Sequence, residues 1–345
     1  MNGKDDIRAL TYDMLDSSIK GLGEHSYRTG QLFDWLHVRK ITSFDEMTNI
    51  PKTLRASLAE KYGISRAEAV KILKSTDGTR KYLCRLYDDN IIESVLLKYE
   101  HGNSACISSQ VGCRMGCAFC ASTVDGLVRS LSAGEMVSQI YAMEEDIGER
   151  INHVVVMGSG EPLDNFDELT RFYEIITDSR GAGLSGRNIT VSTCGLVPQI
   201  RKLAGKKYPL TLALSLHAPT DEKRRQIMPV ANSYTIAETV DALKDYFEKT
   251  GRRITIEYCV IEGFNDTDED ARGLSLIAAD LAAHVNLIPV NPTDEGKYRA
   301  ASRKTAQLLK NKLEKNRINV TIRREMGRDI QGACGQLRRR FIKDN

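Results

Sequence analysis

The sequence predicts an α/β protein in which a helical segment and a β-hairpin precede a series of parallel βα units. After residue 102, short runs of β-forming residues alternate with amphipathic stretches, which is typical of parallel βα units. Residues 80–99 contain two more β-rich runs separated by a turn at 88–90, and this pattern predicts a hairpin. Up to Lys74, apolar residues recur at helical spacing.

The elements of the parallel part follow from their patterns. The predicted strands are 104–109, 153–158, 188–193, 210–216, 253–261, 284–290 and 318–323. The predicted helices are 133–147, 166–178, 235–249, 269–282 and 302–315. About six such units form either an open sheet or a partial barrel, and in both folds the functional residues lie at the carboxyl ends of the strands.

These patterns divide the chain into three parts. Residues 1–74 are predicted to be a helical domain, with Trp35 in its core and Pro51 in the first turn of a helix. Residues 75–101 form a β-hairpin connector. Residues 102–345 form the α/β domain, which ends in a basic segment.

The composition is that of a globular protein without a membrane segment. Of 345 residues, 41% are hydrophobic and 28% are charged, and no apolar run approaches the length of a membrane span. The first ten residues carry acidic side chains where a signal peptide has an apolar core, so we expect a cytoplasmic protein. Three of the eight cysteines fall within residues 113–120, which in a reducing compartment favours metal binding or catalysis over disulfides.

Positive charge is concentrated at the C-terminal end. Residues 310–345 contain eleven Lys or Arg and four Asp or Glu, a surplus of +7, whereas the whole chain carries +3 and its remainder therefore −4. The segment includes Arg338, Arg339 and Arg340. Two interpretations stay open, namely contact with the phosphates of a nucleic acid, or a solvated helix face and tail.

The strongest chemical signal is the spacing Cys113-x3-Cys117-x2-Cys120. Thiolates are the usual ligands of iron–sulfur clusters, and three of them on a four-iron cluster leave one iron open to a substrate or cofactor. The alternative is a structural zinc site. Zinc usually has four protein ligands, commonly in paired Cys-x2-Cys units, and no second pair follows elsewhere in the sequence, so the spacing favours a cluster.

A second signal, Gly158-Ser-Gly-Glu-Pro162, comes directly after a predicted strand. Its glycines allow the backbone to approach a ligand closely, and Glu161 can accept a hydrogen bond from an ammonium group. The third glycine of a dinucleotide-binding fingerprint is missing, and Pro162 interrupts that pattern.

In combination these motifs resemble those of the RlmN/Cfr-type radical S-adenosylmethionine (SAM) methyltransferases, which modify adenosines of RNA. The resemblance extends over residues 25–340. The segments that carry it are CISSQVGCRMGCAFC, GSGEPLDN, STCGLVP, LALSLHAP, RRQIMPVAN, HVNLIPVNP and DIQGACGQLR. It implies a radical SAM partial (β/α)6 barrel and a [4Fe–4S] cluster on Cys113, Cys117 and Cys120. It also implies that residues 1–74 are a domain of RNA-binding type and that residues 102–345 are the radical SAM catalytic domain. One departure is Ser159, where the family usually has methionine.

The resemblance also implies a reaction that uses two cysteines and two molecules of SAM per turnover. Cys334 takes a methyl group from the first SAM, and one-electron cleavage of the second gives a radical that removes hydrogen from this methyl group. The resulting carbon radical adds to the adenine ring. Cys106 then helps to remove the ring proton and releases the RNA by forming a transient disulfide with Cys334. By itself, each cysteine is typical of a small buried apolar residue.

The remaining site residues are also assigned by the resemblance. The SAM pocket is expected to contain Gly160, Glu161, Ser192, Ser215, Leu216, His217 and Asn291. The family has a proton acceptor at the position of Glu93, which could instead be a solvent-facing strand residue. Serines at strand ends also cap helices, and a lone histidine is usually structural. Cys84, Cys194 and Cys259 match no catalytic position and are expected to pack in the interior.

The sequence leaves several alternative functions open. The intact Gly-Glu-Pro-Leu at 160–163 favours methylation of adenine C2 over C8, which is the alternative within the family. A non-methylating radical SAM enzyme, an iron–sulfur electron carrier and an RNA-binding module are the alternatives from other classes. The expected partners are 23S rRNA, tRNA and an electron donor such as flavodoxin, with no membrane.

Overall fold

The N-terminal part of the molecule is a small helical unit with its own core. The structure is a computed structural model that describes residues 3–289, 299, 301–324 and 326–330. The elements of this unit are β1 (Asp5–Asp6), α1 (Tyr12–Gly21), α2 (Tyr27–His37), α3 (Lys52–Lys61) and β2 (Tyr62–Gly63). Apolar side chains at helical spacing, among them Leu15, Leu32 and Leu36, are fully buried against one another, and Trp35 joins them as predicted.

The helical pattern ends before residue 74, so the prediction of helix up to Lys74 was wrong over its last residues. Residues Glu68–Lys74 form strand β3, which pairs antiparallel with β4 (Arg80–Arg85). Strand β4 in turn pairs antiparallel with β5 (Ile91–Tyr99), so the predicted hairpin is present. The seven residues Glu68–Lys74 are too few for their periodicity to decide between helix and strand, and backbone hydrogen bonds to β4 make the segment a strand.

The rest of the described chain alternates strands and helices. The elements are β6 (Gly102–Cys106), β7 (Gln110–Gly112), β8 (Leu127–Ser130), α4 (Ala133–Ile147), β9 (Ile151–Val156), α5 (Phe166–Thr177), β10 (Ile189–Thr193), α6 (Val197–Lys206), β11 (Thr211–Ser215), α7 (Asp221–Ile227), α8 (Ile236–Thr250), β12 (Thr255–Val260), α9 (Asp268–Asp280), β13 (His284–Pro289), α10 (Arg303–Lys315) and β14 (Val320–Ile322). The predicted strands and helices of this part are confirmed within a few residues. Helices α6 and α7 and the β7–β8 pair were not predicted.

One ten-stranded sheet organises these elements. Its order is β14-β13-β12-β11-β10-β9-β6-β5-β4-β3. Neighbours from β6 to β14 are parallel, with helices in the connections, which confirms the α/β fold with six parallel crossovers. Strands β3 to β5 extend the same sheet on its antiparallel side, so the predicted hairpin is continuous with the parallel strands.

The two faces of this sheet differ in polarity. One face packs against the helices and contributes fully buried residues such as Val154, Leu212 and Tyr258 to the large core. On the opposite face, register places Ser215 beside Glu257 and Glu257 beside Asn286. Successive strand residues point to opposite faces, so a polar row lines the inner face of the parallel strands.

In the described part of the chain, no helix combines the length and the apolar character needed to cross a membrane.

Candidate active site

The three clustered cysteines lie on a loop closed at its base by the small sheet β7–β8. The backbone N–H of Cys113 donates to the carbonyl oxygen of Gly126 at 2.9 Å. Gly112, next to it, has φ +78°, and a Cβ there would lie 2.0 Å from the same carbonyl oxygen. The crossing at the base of the loop therefore requires glycine at position 112.

Contacts inside the loop and beneath it set its shape. Cys120 donates its N–H to the carbonyl oxygen of Cys117 at 3.1 Å, and the Thr123 hydroxyl donates to that of Cys120 at 2.9 Å. From below, Ala118 donates its N–H to the carbonyl oxygen of Ile227 at 2.9 Å. The loop packs on an apolar cluster whose buried members are Cys194, Ala218, Ile227, Met228, Val230 and Ile261.

The loop fits a thiolate-bound cluster in its chemistry. Burial, together with the negative charge of Cys120, raises the pKa of the Cys113 thiol to about 12. Burial also raises the pKa of the Cys117 thiol, and the charges of Cys120 and Cys113 add to this shift. Such thiols ionise when a metal binds them. Among the described residues, no three His, Cys, Asp or Glu side chains are arranged around a single metal ion, whereas in a four-iron cluster each thiolate binds a different iron.

The Gly-Glu-Pro segment after β9 lies directly against the strand that leads into the cysteine loop. A Cβ on Gly160, whose φ is +107°, would lie 2.6 Å from the side chain of Gln110. Ser159, the departure from the family pattern, donates its hydroxyl to the carbonyl oxygen of Gly112 at 3.4 Å. Position 159 therefore links the segment to the base of the loop.

Glu161 is buried and makes contacts within the protein. Its carboxylate accepts from the N–H of Cys194 at 2.8 Å and from the N–H of Leu163 at 3.1 Å. Burial raises the pKa of Glu161, although these hydrogen bonds oppose the shift. The carboxylate thus ties the end of β9 to the end of β10, in addition to any contact with a ligand.

The carboxyl ends of β10 and β11 meet beside this segment. The hydroxyls of Ser192 and Ser215 are 3.2 Å apart. Leu216 is buried in the large core. The structure brings these two serines of the predicted SAM pocket together at neighbouring strand ends, while Asn291 lies outside the described residues.

His217 is a structural link at this edge. Its backbone has φ +57°, and its Nδ1 accepts from the N–H of Cys259 at 3.0 Å. The ring packs edge-on against Phe119 of the cysteine loop, with centroids 4.8 Å apart. Burial and, to a smaller extent, the nearby Arg224 lower the pKa of His217 to about 3, so the imidazole is neutral.

Cys106 and Glu93 lie on adjacent strands and face the same side of the sheet. Cys106 ends β6 opposite Val95 of β5, and Glu93 is two residues from Val95 on that strand. Both are almost fully buried, with 4% and 5% of their surface exposed. The alternative of a solvent-facing Glu93 is therefore wrong.

Lys81 on β4 completes this group, and sequence reasoning missed it. Its side chain is fully buried, and its Nζ lies 3.0 Å from Oε2 of Glu93. In the strand register, Val95 of β5 lies opposite Lys81 of β4 on one side and opposite Cys106 of β6 on the other, so all three side chains lie on the same face of the sheet. In the sequence it is one cation among several in a β-rich run, and only the register of the strands separates it from the partly exposed Arg80.

Cys334 lies outside the described residues, but the chain shortly before it is held near Cys106. Met326 packs against the apolar cluster that contains Cys106. Asp77, in the β3–β4 turn, accepts from the N–H of Gly327 at 2.8 Å, and Asp329 accepts from the N–H of Thr76 at 3.2 Å. Burial raises the pKa of Asp77, but hydrogen bonds from Gly327 and Thr79 outweigh this and hold it well below its ordinary value.

A buried carboxylate on β12 was also missed. Glu257, 6% exposed, accepts from the side-chain amide of Asn286 at 2.9 Å, and the Thr321 hydroxyl donates to Asn286 at 3.2 Å. Burial raises the pKa of Glu257. A single acidic residue inside the otherwise apolar run TIEYCVI is the sequence signal that could have revealed it.

Comparison with known proteins places this geometry in a class. Residues 107–274 match the family model "Radical SAM superfamily", and residues 6–64 match "Ribosomal RNA large subunit methyltransferase N-terminal domain". The chain is therefore a radical SAM protein, a class that uses a [4Fe–4S] cluster and SAM.

The full-length relatives narrow the class to a family. A protein of Lachnospira eligens with the name "Probable dual-specificity RNA methyltransferase RlmN" is 54% identical over 98% of this chain and 97% of its own length. A protein of the same name from Alkaliphilus oremlandii is 52% identical over 99% of both chains. The crystal structure of a radical SAM methyltransferase from Sphaerobacter thermophilus, 39% identical, superposes with a TM-score of 0.91 over 96% of this chain and 98% of that one. This chain belongs to the RlmN family of radical SAM RNA methyltransferases.

Proposed function

We propose that this chain methylates C2 of an adenosine in 23S rRNA near the peptidyl-transferase centre, and of the adenosine next to the anticodon in tRNA. Its relatives are named as dual-specificity RNA methyltransferases, and the similarity to them covers nearly the whole chain. The observation that carries the proposal is the meeting of the cysteine loop, the Gly160–Glu161 segment and the ends of β10 and β11 at one edge of the sheet. The alternative product is 8-methyladenosine, and the intact Glu161-Pro162 pair favours C2.

In this proposal Cys113, Cys117 and Cys120 hold the [4Fe–4S] cluster, and SAM binds among Gly160, Glu161, Ser192, Ser215, Leu216, His217 and Asn291. When bound, the cluster and SAM supply the one-electron cleavage that generates a hydrogen-abstracting radical. The chain's own contribution is positional. Gly112 and Ser159 hold the loop against the Gly-Glu-Pro segment, and neutral His217 supports Phe119 within the loop.

The two catalytic thiols have different roles. Cys334 accepts the methyl group and forms the covalent bond to the adenine ring. Cys106 removes the ring proton together with Glu93 and then displaces the RNA from Cys334, forming a disulfide. The burial of Cys106 beside the Lys81–Glu93 ion pair supports this assignment because it places a carboxylate and a thiol on one face of the sheet.

RNA contacts are assigned to the two ends of the chain. The N-terminal helical unit has its own core and matches the N-terminal domain of ribosomal RNA methyltransferases. The basic segment that contains Arg338, Arg339 and Arg340 lies outside the described residues, and we assign it phosphate contacts. Replacing these three arginines by Ala should weaken RNA binding and flatten its salt dependence, whereas an unchanged salt slope contradicts this assignment.

Two parts of the proposal concern the surroundings of the enzyme. A transient Cys106–Cys334 disulfide requires a reducing compartment in which it is opened again after each turnover, so we place the reaction in the cytoplasm. A flavodoxin-type protein is the proposed electron donor. Reduction of the reconstituted enzyme by purified flavodoxin and its reductase, followed optically, tests this part.

The decisive experiment identifies the product. Purified enzyme is reconstituted anaerobically, incubated with SAM, a reductant and unmodified 23S rRNA or tRNA, and the digested RNA is analysed by mass spectrometry against authentic 2- and 8-methyladenosine. We expect 2-methyladenosine from both RNAs and none from the Cys334→Ala control. Exclusive 8-methyladenosine overturns the regiochemistry, and zinc binding without iron incorporation overturns the radical mechanism.

A further inference from the structure

Helix α7 carries two neighbouring arginines in opposite environments. Arg225 is exposed, whereas the side chain of Arg224 is fully buried. The buried guanidinium donates through Nε to the carbonyl oxygen of Leu216 at 3.2 Å. Through Nη2 it donates to the carbonyl oxygens of Cys194 at 2.5 Å and Ser215 at 3.4 Å. Arg224 thus ties together the carboxyl ends of β10 and β11.

These contacts satisfy hydrogen bonds but give the charge no ion-pair partner. Within the described chain, no carboxylate lies at ion-pair distance from Arg224, and its Nη1 is buried without a hydrogen-bond partner there. Buried charges in proteins are normally paired. Burial lowers the pKa of Arg224, and the nearby side chains of Cys194, Cys117 and Asp221 oppose this shift.

The end of helix α7 also supports the cysteine loop. The carbonyl oxygen of Ile227 accepts the N–H of Ala118, which lies between Cys117 and Cys120. The ring of Pro229 lies 3.2 Å from the position of a Cβ on Gly116, so the loop fits tightly on this segment. One short stretch of chain therefore holds the loop from below and presents a buried cation behind it.

We propose that Arg224 is a positioning residue that supplies a fixed positive charge behind the cluster ligands and thereby favours one-electron reduction of the cluster. The proposal rests on the cluster ligands assigned under the proposed function. Reduction adds one electron from an external low-potential donor and makes the site more negative by one charge. A buried cation nearby stabilises the more negative state, because the low local dielectric leaves the attraction poorly screened.

The test compares reduction potentials of the reconstituted full-length enzyme. Arg224→Gln removes the charge, Arg224→Lys keeps it, and Arg225→Gln removes the neighbouring exposed charge as the matched control. Each variant is titrated anaerobically with dithionite and mediators, with electron paramagnetic resonance of the reduced cluster as the readout. Iron content and thermal unfolding are measured in parallel, which separates electrostatic effects from loss of the fold.

We expect Arg224→Gln, at full iron content, to lower the equilibrium constant for reduction about tenfold or more, which for a one-electron couple is a shift of about 59 mV to more negative potential. Arg224→Lys, which keeps the charge, should have a reduction potential close to that of the natural protein. Arg225→Gln should have the same potential as the natural protein. An unchanged potential in fully loaded Arg224→Gln overturns the proposal.

A second comparison keeps the proposal testable when Arg224→Gln does not fold. Arg224→Lys retains the charge but lacks the planar fork that reaches the carbonyl oxygens of Ser215 and Cys194. If the equilibrium constant for reduction falls tenfold in a fully loaded Arg224→Lys variant, Arg224 acts through its geometry and not through its charge, which overturns the proposal. A natural protein that takes up no iron refutes the assigned cluster ligands instead.

Discussion

Replacing Gly112 by Ala tests whether the base of the cysteine loop sets the geometry of the site. Two costs add at this position. A residue with a Cβ at positive φ costs about 1–2 kcal/mol. The new Cβ would also lie 2.0 Å from the carbonyl oxygen of Gly126, and carbon–oxygen contacts need about 3.3 Å, so the backbone must separate by more than about 1 Å.

That separation breaks the hydrogen bond from Cys113 to Gly126, which is worth about 1 kcal/mol. Together the two costs predict a destabilisation of about 2–3 kcal/mol. We also expect loss of most of the iron bound after reconstitution, because Cys113 is the residue displaced.

Gly126→Ala is the matched control. Gly126 also has positive φ, at +70°, but a Cβ there meets no described atom within 4 Å. The free energy of unfolding of this variant should fall only by the conformational cost of a Cβ at positive φ, and the variant should keep its iron. Urea unfolding and iron analysis of both variants provide the measurement. Equal iron content in Gly112→Ala and Gly126→Ala would show that the loop tolerates displacement at its base, which refutes the reasoning.

Three further perturbations address the interior of the site. Cys106→Ala should accumulate as a protein–RNA conjugate joined through Cys334, whereas Cys334→Ala should carry neither a methyl group nor RNA; an unmodified Cys334 peptide from cluster-loaded Cys106→Ala contradicts the assigned roles. Lys81→Met should lower the free energy of unfolding by about 3–5 kcal/mol because Glu93 is left buried without its countercharge, and the added Glu93→Gln change should restore most of it; additive losses contradict direct coupling. Asp77→Ala should lower the free energy of unfolding by about 1 kcal/mol at pH 7. Since the pKa of Asp77 is depressed in the folded state, this difference should be complete above its ordinary value of 3.8 and shrink steadily as the pH falls from there toward the depressed folded-state pKa. A difference that is as large at pH 2 as at pH 7 rules out an ionised Asp77 as its source.

Local signals explain why much of the fold could be predicted. Helix α4 occupies the predicted residues 133–147 because a capping box of Ser132 and Glu135 begins it and Gly148, with φ +68°, ends it. The parallel strands are short apolar runs between such helices. Helix α7 was missed because the sequence DEKRRQI has almost no apolar periodicity, and its stability depends on the burial of Arg224 and Ile227 against distant strands.

The spacing of Cys113, Cys117 and Cys120, the glycine pattern at 158–160 and the quoted family motifs were sufficient to predict the chemistry and the fold class. These features are local, since a loop that presents three thiols is encoded in eight consecutive residues. The placement of Lys81 beside Glu93, and of a buried cation behind the cysteine loop, depended on tertiary structure alone. Strand register and long-range packing decide which charged side chains leave water, and neither is encoded in the local sequence around those residues.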